Sequence, residues 1–105
     1  MNKAELTEYV AKKAKLSKKA AADALQATLD GITDYVSQGE EVRLTGFGTF
    51  LAKPRRASQR INPQTRQKIM VNSKVVPGFR AGSELKDRIS KRLKVDDRTM
   101  QVKKR

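Results

Sequence analysis

The sequence predicts an α+β fold: two N-terminal helices, a three-stranded antiparallel sheet with a long two-stranded arm, and a C-terminal helix. Apolar residues recur at helical spacing up to residue 37, and strand-favouring residues follow residue 41. The segment from Val42 to Ser83 holds nine basic side chains and no Asp or Glu. An Asn-Pro pair, a strong turn signal, lies in its middle.

The first helix is predicted from about Lys3 to Ala14. Asn2 is followed three residues later by Glu5, which is the pattern of a capping box at a helix start. Its buried stripe consists of residues that recur every fourth position: Leu6, Val10 and Ala14.

A second, longer helix is predicted from its N-cap candidate Ser17 to about Ser37. Gly39 supplies the C-terminal stop, because glycine readily adopts the left-handed conformation found after helices. The buried stripe of this helix follows helical spacing: Leu25, Leu29, Ile32 and Val36.

The chain changes to strand character from Glu41. Phenylalanine and threonine in the Gly46–Leu51 segment favour a strand, which continues to about Arg56. Pro54 lacks an amide donor, so this part of the strand is an edge or a ribbon that leaves the body.

The arm is predicted over about residues 53 to 74. Its turn runs from Arg60 to Gln67, and Asn62-Pro63 begins the reversal. The chain returns as a strand from Lys68 to Val76, and Pro77-Gly78 is predicted to end that strand.

A last helix is predicted from Glu84 to about Leu93, with Ser83 as its cap. Residues 94–105 show no convincing period and end in a basic cluster, so we predict a mobile basic tail that adds weak contact to phosphates. The chain therefore divides into a DNA-binding domain, residues 1–93, and a tail, residues 94–105.

Composition points to a polyanionic partner. The 105 residues have a formal net charge of +13 and a pI near 10.4, the electrostatic footprint of a nucleic-acid-binding protein. Cysteine and histidine are absent, which excludes disulfides, zinc sites and Ser-His or Cys-His catalytic pairs. We predict no enzymatic activity, no cofactor and no metal.

The N-terminus has no apolar run long enough for a signal peptide or a membrane span. The expected location is the cytoplasm of a cell without a nucleus, or an organelle, and no membrane partner is expected. Five aromatic residues are few for a small domain, so burial shared with a second subunit is one way to stabilise it.

The arm carries the strongest candidates for DNA contact. A two-stranded ribbon fits a DNA groove, and its cations can pair with phosphates. Pro63 either wedges between base pairs or only shapes the turn, and Ile61 is either a second apolar contact or a strand residue. The cationic candidates in the arm are Lys53, Arg55, Arg56, Arg60, Arg66, Lys68 and Lys74.

Further candidates lie on the body of the domain. Gly46 and Gly48 either expose amides to phosphate or serve packing, and the residues alone do not decide between these roles. Lys3, Arg80 and Lys86 lie at or before helix starts, where cations are unfavourable unless an anion binds.

These motifs together resemble a known family. MNKAEL at residues 1–6, GFGTF at 46–50, INPQT at 61–65 and VPGFRAGSELKD at 76–87 are similar to the bacterial HU proteins and the related integration host factor subunits. The similarity covers about residues 1–90.

The resemblance implies an intertwined homodimer whose arms lie in the DNA minor groove and whose tip proline intercalates. It implies nucleoid compaction and a preference for bent, nicked or flexible double-stranded DNA. By position, Arg55, Asn62, Pro63 and Gln64 match arm contacts, and Lys3 and Lys86 match phosphate contacts. The resemblance places three residues in the dimer core: Phe47, Phe50 and Phe79.

Some positions depart from the family pattern, and two other functions stay open. Arg60 is displaced by one residue from the usual tip arginine, Ser58 replaces an arm arginine, Arg66 replaces a turn glycine, and Ser83 replaces a lysine.

An integration-host-factor-like subunit would prefer specific sites through their deformability. An RNA-binding or ribosome-associated protein is the other alternative, although the chain lacks an aromatic stacking surface.

Overall fold

The computed structural model describes residues 1–105 and contains three helices and seven strands. None of the helices combines the length and hydropathy that a bilayer-spanning helix needs. The elements follow the chain in this order: α1 (Lys3–Ala14), α2 (Lys18–Ser37), β1 (Val42–Leu44), β2 (Gly48–Arg55), β3 (Ser58–Ile61), β4 (Lys68–Val71), β5 (Lys74–Ala81), α3 (Ser83–Arg92), β6 (Leu93–Asp96) and β7 (Gln101–Lys104).

Both N-terminal helices begin at the predicted side-chain caps. Asn2 Oδ1 accepts a hydrogen bond from the Glu5 amide at 2.9 Å, and Ser17 Oγ accepts from the Ala20 amide at 3.1 Å. Such a cap contributes about 1 kcal/mol to helix stability. Gly39 follows α2 with a φ of 86°, which confirms the predicted stop.

The sheet explains how the arm leaves the body. Its strand order is β1-β2-β5, and all its pairings are antiparallel. β1 reaches only as far as Phe50 on β2, whereas β5 pairs with β2 from Gly48 to Arg55. Beyond Phe50 the sheet is therefore a two-stranded ribbon, in which Pro54 lies opposite Val75. β3 and β4 continue this ribbon as a separate antiparallel pair, so the predicted arm is confirmed.

Two local predictions are wrong. Pro77 and Gly78 do not end a strand, because β5 runs through both to Ala81. β5 is an edge strand, where a proline is tolerated because outward-facing amides need no partner. Ser83 does not cap α3: the N-cap is Gly82, and no side chain bonds to the free amides.

The chain after α3 corrects a further prediction. We expected no regular structure from about Lys94, yet β6 and β7 form an antiparallel hairpin with Val95 opposite Val102. The hairpin is held to α3 by Arg105, whose backbone amide donates to the Arg92 carbonyl at 2.8 Å. The stabilising contacts join the last residue to the helix end, so no local period in the sequence reports them.

A single chain buries little of its surface. Only 5 of 105 residues are buried, and no large side chain is fully buried. The accessible surface is 9422 Å², whereas a folded monomer of 11.8 kDa is expected to expose about 5,900 Å². The Cα radius of gyration is 19.1 Å, against about 13 Å for a typical domain of this length. The projecting arm and uncovered apolar side chains both contribute to the excess.

Candidate nucleic-acid interface

A cationic groove lies at the base of the arm, where β2 and β5 lead into β3 and β4. Its volume is about 720 Å³, and no carboxylate lines it. None of its cations forms an ion pair within the chain. Four of the predicted DNA-contacting side chains meet here: Arg55, Arg56, Arg60 and Lys74. Uncompensated positive charge in a concave surface concentrates anions.

The tip of the arm is an ordered turn. Asn62 Oδ1 accepts from the Gln64 amide at 2.9 Å, and the Asn62 carbonyl accepts from the Arg66 amide at 2.7 Å. Arg66, which stands where the family has a turn glycine, has a φ of 56° and so occupies the left-handed conformation that is uncommon for a non-glycine residue. These bonds hold the turn while Pro63 remains exposed at its outer end.

The arm strands present different residues on their two faces. Ile61 pairs with Lys68, and Arg60 pairs with Ile69. Neighbouring residues of a strand point to opposite sides, so Arg60 and Ile61 lie on opposite faces of the ribbon. Ile61 is 66 % exposed. It therefore contributes nothing to a core within this chain and is free to meet a partner.

Lys53 combines a packing role with its charge. A Cβ added to Gly78 on the neighbouring strand would lie 2.8 Å from Lys53 Cε. The aliphatic stem of the lysine thus runs across Gly78. The charged end remains outside, as is usual for a long cationic side chain over an apolar surface.

The predicted cations of the body are exposed but scattered. Lys3 Nζ donates to Gln26 Oε1, a neutral partner that leaves its charge uncompensated. Arg80 lies on β5 opposite Thr49, and Lys86 lies in the first turn of α3. None of the three forms an ion pair, so each keeps its charge available for an anion.

The two glycines of the β1–β2 connection have different surroundings. Gly48 is buried, and a Cβ there would lie 2.5 Å from the Phe79 ring and 2.7 Å from the Arg80 carbonyl oxygen. This contact favours the packing alternative for Gly48. Gly46 has a φ of 85°, and the Glu84 carboxylate lies beside it. A phosphate contact at Gly46 stays a prediction, which that carboxylate opposes electrostatically.

The three phenylalanines form one cluster on the sheet. Phe50 lies opposite Phe79 with ring centroids 4.7 Å apart, and Phe47 lies 5.5 Å from Phe79. Within this chain Phe47 remains 48 % exposed and Phe79 remains 40 % exposed. The cluster is therefore only partly buried by its own chain.

The structure brings together a second set of cations, which joins two residues of the predicted basic tail to three α3 residues that the sequence analysis did not assign to DNA. Arg88, Lys91 and Arg92 on α3 line a groove with Lys104 and Arg105 of the C-terminal segment. A signal for the helical part was present in the sequence: the three α3 residues are spaced i, i+3, i+4 and share one helix face.

The chain matches known proteins over most of its length. The family model described as bacterial DNA-binding protein matches residues 1–90. The HU-alpha protein of Vibrio proteolyticus is 47 % identical over 89 residues, which cover 85 % of this chain and 99 % of that protein. The HU protein of Clostridium pasteurianum is 44 % identical over 91 residues, which cover 87 % of this chain and all of that protein.

Solved structures agree with this assignment. An Anabaena HU–DNA cocrystal structure matches with a TM-score of 0.82 at 40 % identity, covering 86 % of this chain and 98 % of that chain. HU from Thermotoga maritima matches with a TM-score of 0.60 at 34 % identity, covering 85 % and 98 %. The resemblance carried by the four sequence motifs is thereby confirmed, and the chain belongs to the HU family of bacterial DNA-binding proteins.

Proposed function

We propose that this protein is an architectural DNA-binding protein that holds duplex DNA between cationic arms and bends it. The observation that carries the proposal is the charge of the arm. The arm lies within the segment from Val42 to Ser83, which has no Asp or Glu, and four of its cations meet in one groove. Family membership supports the same activity and argues against an enzyme.

The arm has the dimensions and charge for a DNA groove. A two-stranded ribbon fits such a groove, and its cations on both edges can neutralise phosphates of both strands. The resemblance to HU proteins supports the minor groove as the groove that the arms enter in this proposal. Contacts of this kind read charge and shape rather than base edges, which favours low sequence specificity and a preference for flexible, bent or nicked duplexes.

Pro63 is the proposed wedge. It lies exposed at the outer end of a turn whose backbone is fixed by the bonds of Asn62. The exposed side chain of Ile61 lies two residues before it in the chain. An apolar group that is presented rigidly can enter a base step, and the cost of unstacking is offset by wider contact with the bent duplex.

The active unit in this proposal is a homodimer. The chain exposes about 3,500 Å² more than a folded monomer of its mass, and an obligate homodimer buries about 1,000–2,500 Å² of each chain. Phe47, Phe50 and Phe79 form a half-covered aromatic cluster that a second copy would complete. We place the dimer on the bacterial nucleoid, as the family implies.

Bending by the wedge is tested with Pro63→Ala. A duplex labelled at both ends for energy transfer should be bent less by the variant, because alanine cannot hold the base step open. The slope of log affinity against log salt should change by less than about 0.9, which is the change expected for the loss of one phosphate contact. Pro54→Ala is the matched control, because it removes a proline from the ribbon without touching the tip. Equal bending by the Pro63 variant and the wild type would refute the wedge.

The same preparation tests the dimer and the type of recognition. Sedimentation equilibrium of the chain alone should give twice 11.8 kDa, and a monomer mass at micromolar concentration would contradict the homodimer. Competition between random and candidate target duplexes addresses the integration-host-factor-like alternative. A preference of about a thousandfold or more would favour that alternative, and tighter binding to structured RNA would favour the RNA-binding one.

A further inference from the structure

We infer that α3 and the C-terminal hairpin form a second surface for the DNA backbone, which we call the α3–hairpin groove. The inference rests on the proposed function and extends it to a part of the chain that lies largely beyond the family match, which ends at residue 90. The groove has a volume of about 770 Å³ and an apolar floor. Its rim carries five cations: Arg88, Lys91, Arg92, Lys104 and Arg105.

The charge of the groove is uncompensated. No Asp or Glu side chain lines it, and none of the five cationic side chains forms an ion pair within the chain. The nearby Asp96 pairs instead with Lys103 at 2.8 Å. Lys103 and Lys104 are consecutive residues of β7. Because neighbouring residues of a strand point to opposite sides, the two lysines lie on opposite faces of the hairpin. The ion pair therefore leaves the groove face positive.

Arg105 holds the two sides of the groove together before any ligand binds. Its Nε donates to the carbonyl oxygens of Ser90 at 2.8 Å and Leu93 at 2.9 Å, and its backbone amide donates to Arg92 at 2.8 Å. These bonds fix the hairpin against the end of α3 and satisfy carbonyls that a helix end leaves free. A surface held in place beforehand loses less conformational entropy when it binds.

Helix stability alone does not explain this arrangement. Lys91 and Arg92 lie in the last turn of α3, where cations interact favourably with the helix dipole. Lys104 comes from a different element, and its side chain makes no hydrogen bond or ion pair with α3. An anion that contacts both α3 and the hairpin would explain why Lys104 lies on the same rim as Lys91 and Arg92.

The occupant that fits is the phosphate backbone of a duplex. The rim cations come from a helix and a strand, so they can follow phosphates that repeat along a strand. No aromatic residue lines the groove, so it offers no surface on which unpaired bases could stack. We assign the groove to the duplex that the arms already hold, because that tethering raises the effective concentration of its flanks.

The test compares two triple variants in salt titrations of duplex binding. Lys91→Gln, Arg92→Gln and Lys104→Gln together neutralise the groove and keep Arg105, which holds the hairpin. The slope of log affinity against log salt should fall by about 0.9 for each phosphate that the variant no longer neutralises. The control replaces Lys12, Lys13 and Lys15 by Gln, which removes the same charge at the end of α1. The slope of the groove variant should fall by about 0.9 or more beyond that of the control.

The outcomes separate this inference from the proposed function. Equal slopes for the groove variant and the control would overturn the groove while leaving bending by the wild type intact. Failure of the wild type to bind duplex DNA would overturn both. A larger slope change on an RNA hairpin than on DNA would assign the groove to RNA and overturn the present assignment.

Protein folding is checked for each variant by thermal melting. If the triple variant unfolds, Lys104→Gln alone leaves α3 unchanged and keeps the test available. It should reduce the slope by about 0.9 relative to the wild type, and an unchanged slope would count against the groove.

Discussion

The tip of the arm and the turn of the C-terminal hairpin have nearly the same backbone but opposite chemistry. In the arm, the Asn62 carbonyl accepts from the Arg66 amide at 2.7 Å, and Arg66 has a φ of 56°. In the hairpin, the Asp96 carbonyl accepts from the Met100 amide at 2.7 Å, and Met100 also has a φ of 56°. Each turn closes two strands of four residues.

The first side chain of each turn bonds to the backbone in the same way. Asn62 Oδ1 accepts from the amide two residues later at 2.9 Å, and Asp96 Oδ1 accepts from the Arg98 amide at 3.1 Å. The amide of Asn62 carries no charge, whereas the carboxylate of Asp96 also binds the Lys103 ammonium at 2.8 Å. The arm has Asn62 and Ile69 where the hairpin has Asp96 and Lys103, so only the hairpin turn neutralises a lysine.

The comparison teaches how one turn serves two purposes. A neutral tip with an exposed proline leaves every cation of the arm available to phosphates. The acidic turn uses one lysine for its own stability, and Arg105 ties the base of that hairpin to α3. All residues of β3 are exposed and no comparable tie holds the arm tip to the body. We infer that the arm gains its order from DNA and the hairpin from its own chain.

The largest effect is expected from giving the arm tip the acid of the hairpin. Asn62→Asp preserves the bond to the Gln64 amide but adds a negative charge where phosphates approach. Two like charges near 4 Å repel by about 1–4 kcal/mol between bulk water and a protein surface. We expect duplex affinity to fall by about tenfold or more, measured by fluorescence anisotropy at fixed salt.

A charge control makes that result specific to the tip. Gln38→Glu adds the same charge at the end of α2, away from the arm, and should change affinity much less. Equal reductions in the two variants would show that net charge alone is responsible, and the contrast between the turns would then lose its functional meaning.

Much of the fold was predictable because its signals are local. The capping side chains of Asn2 and Ser17 and the stop at Gly39 act within a few residues, so the sequence alone locates the N-terminal helices. The arm was predictable for a related reason: its Asn-Pro turn and the absence of acids are continuous in the sequence. The groove at its base follows because paired strands bring those cations together.

The features that sequence missed depend on contacts between distant residues. The hairpin of residues 93–104 is held by Arg105 bonding to the α3 end, 12 and 15 residues earlier in the chain. Strand β5 passes through Pro77 because it lies at a sheet edge, which only the strand order reveals. Gly48 must lack a side chain because the ring of Phe79, which is distant in the sequence, packs against it. None of these contacts leaves a period or a motif.

The smallest effect concerns the acid of the hairpin, whose order should depend on pH. The Lys103 ammonium, followed by the Arg98 amide, holds the pKa of Asp96 below its ordinary value. A carboxyl with a depressed pKa in the folded state stabilises it fully above the unfolded pKa, and this contribution is lost as pH falls through the folded pKa. The protection of the Val95 and Val102 amides against exchange, measured by NMR relative to the intrinsic rate at each pH, should therefore fall below about pH 4.

The variant Asp96→Asn isolates this carboxyl, because it gives the hairpin a neutral turn residue like that of the arm. Its hairpin amides should exchange faster than those of the wild type at pH 6 and lose the additional pH dependence. The variant changes no other carboxylate, so only Asp96 contributes to the difference. The arm contains no carboxylate between Val42 and Ser83, so its amides serve as the internal reference. The same pH response in variant and wild type would show that the ion pair with Lys103 does not order the hairpin.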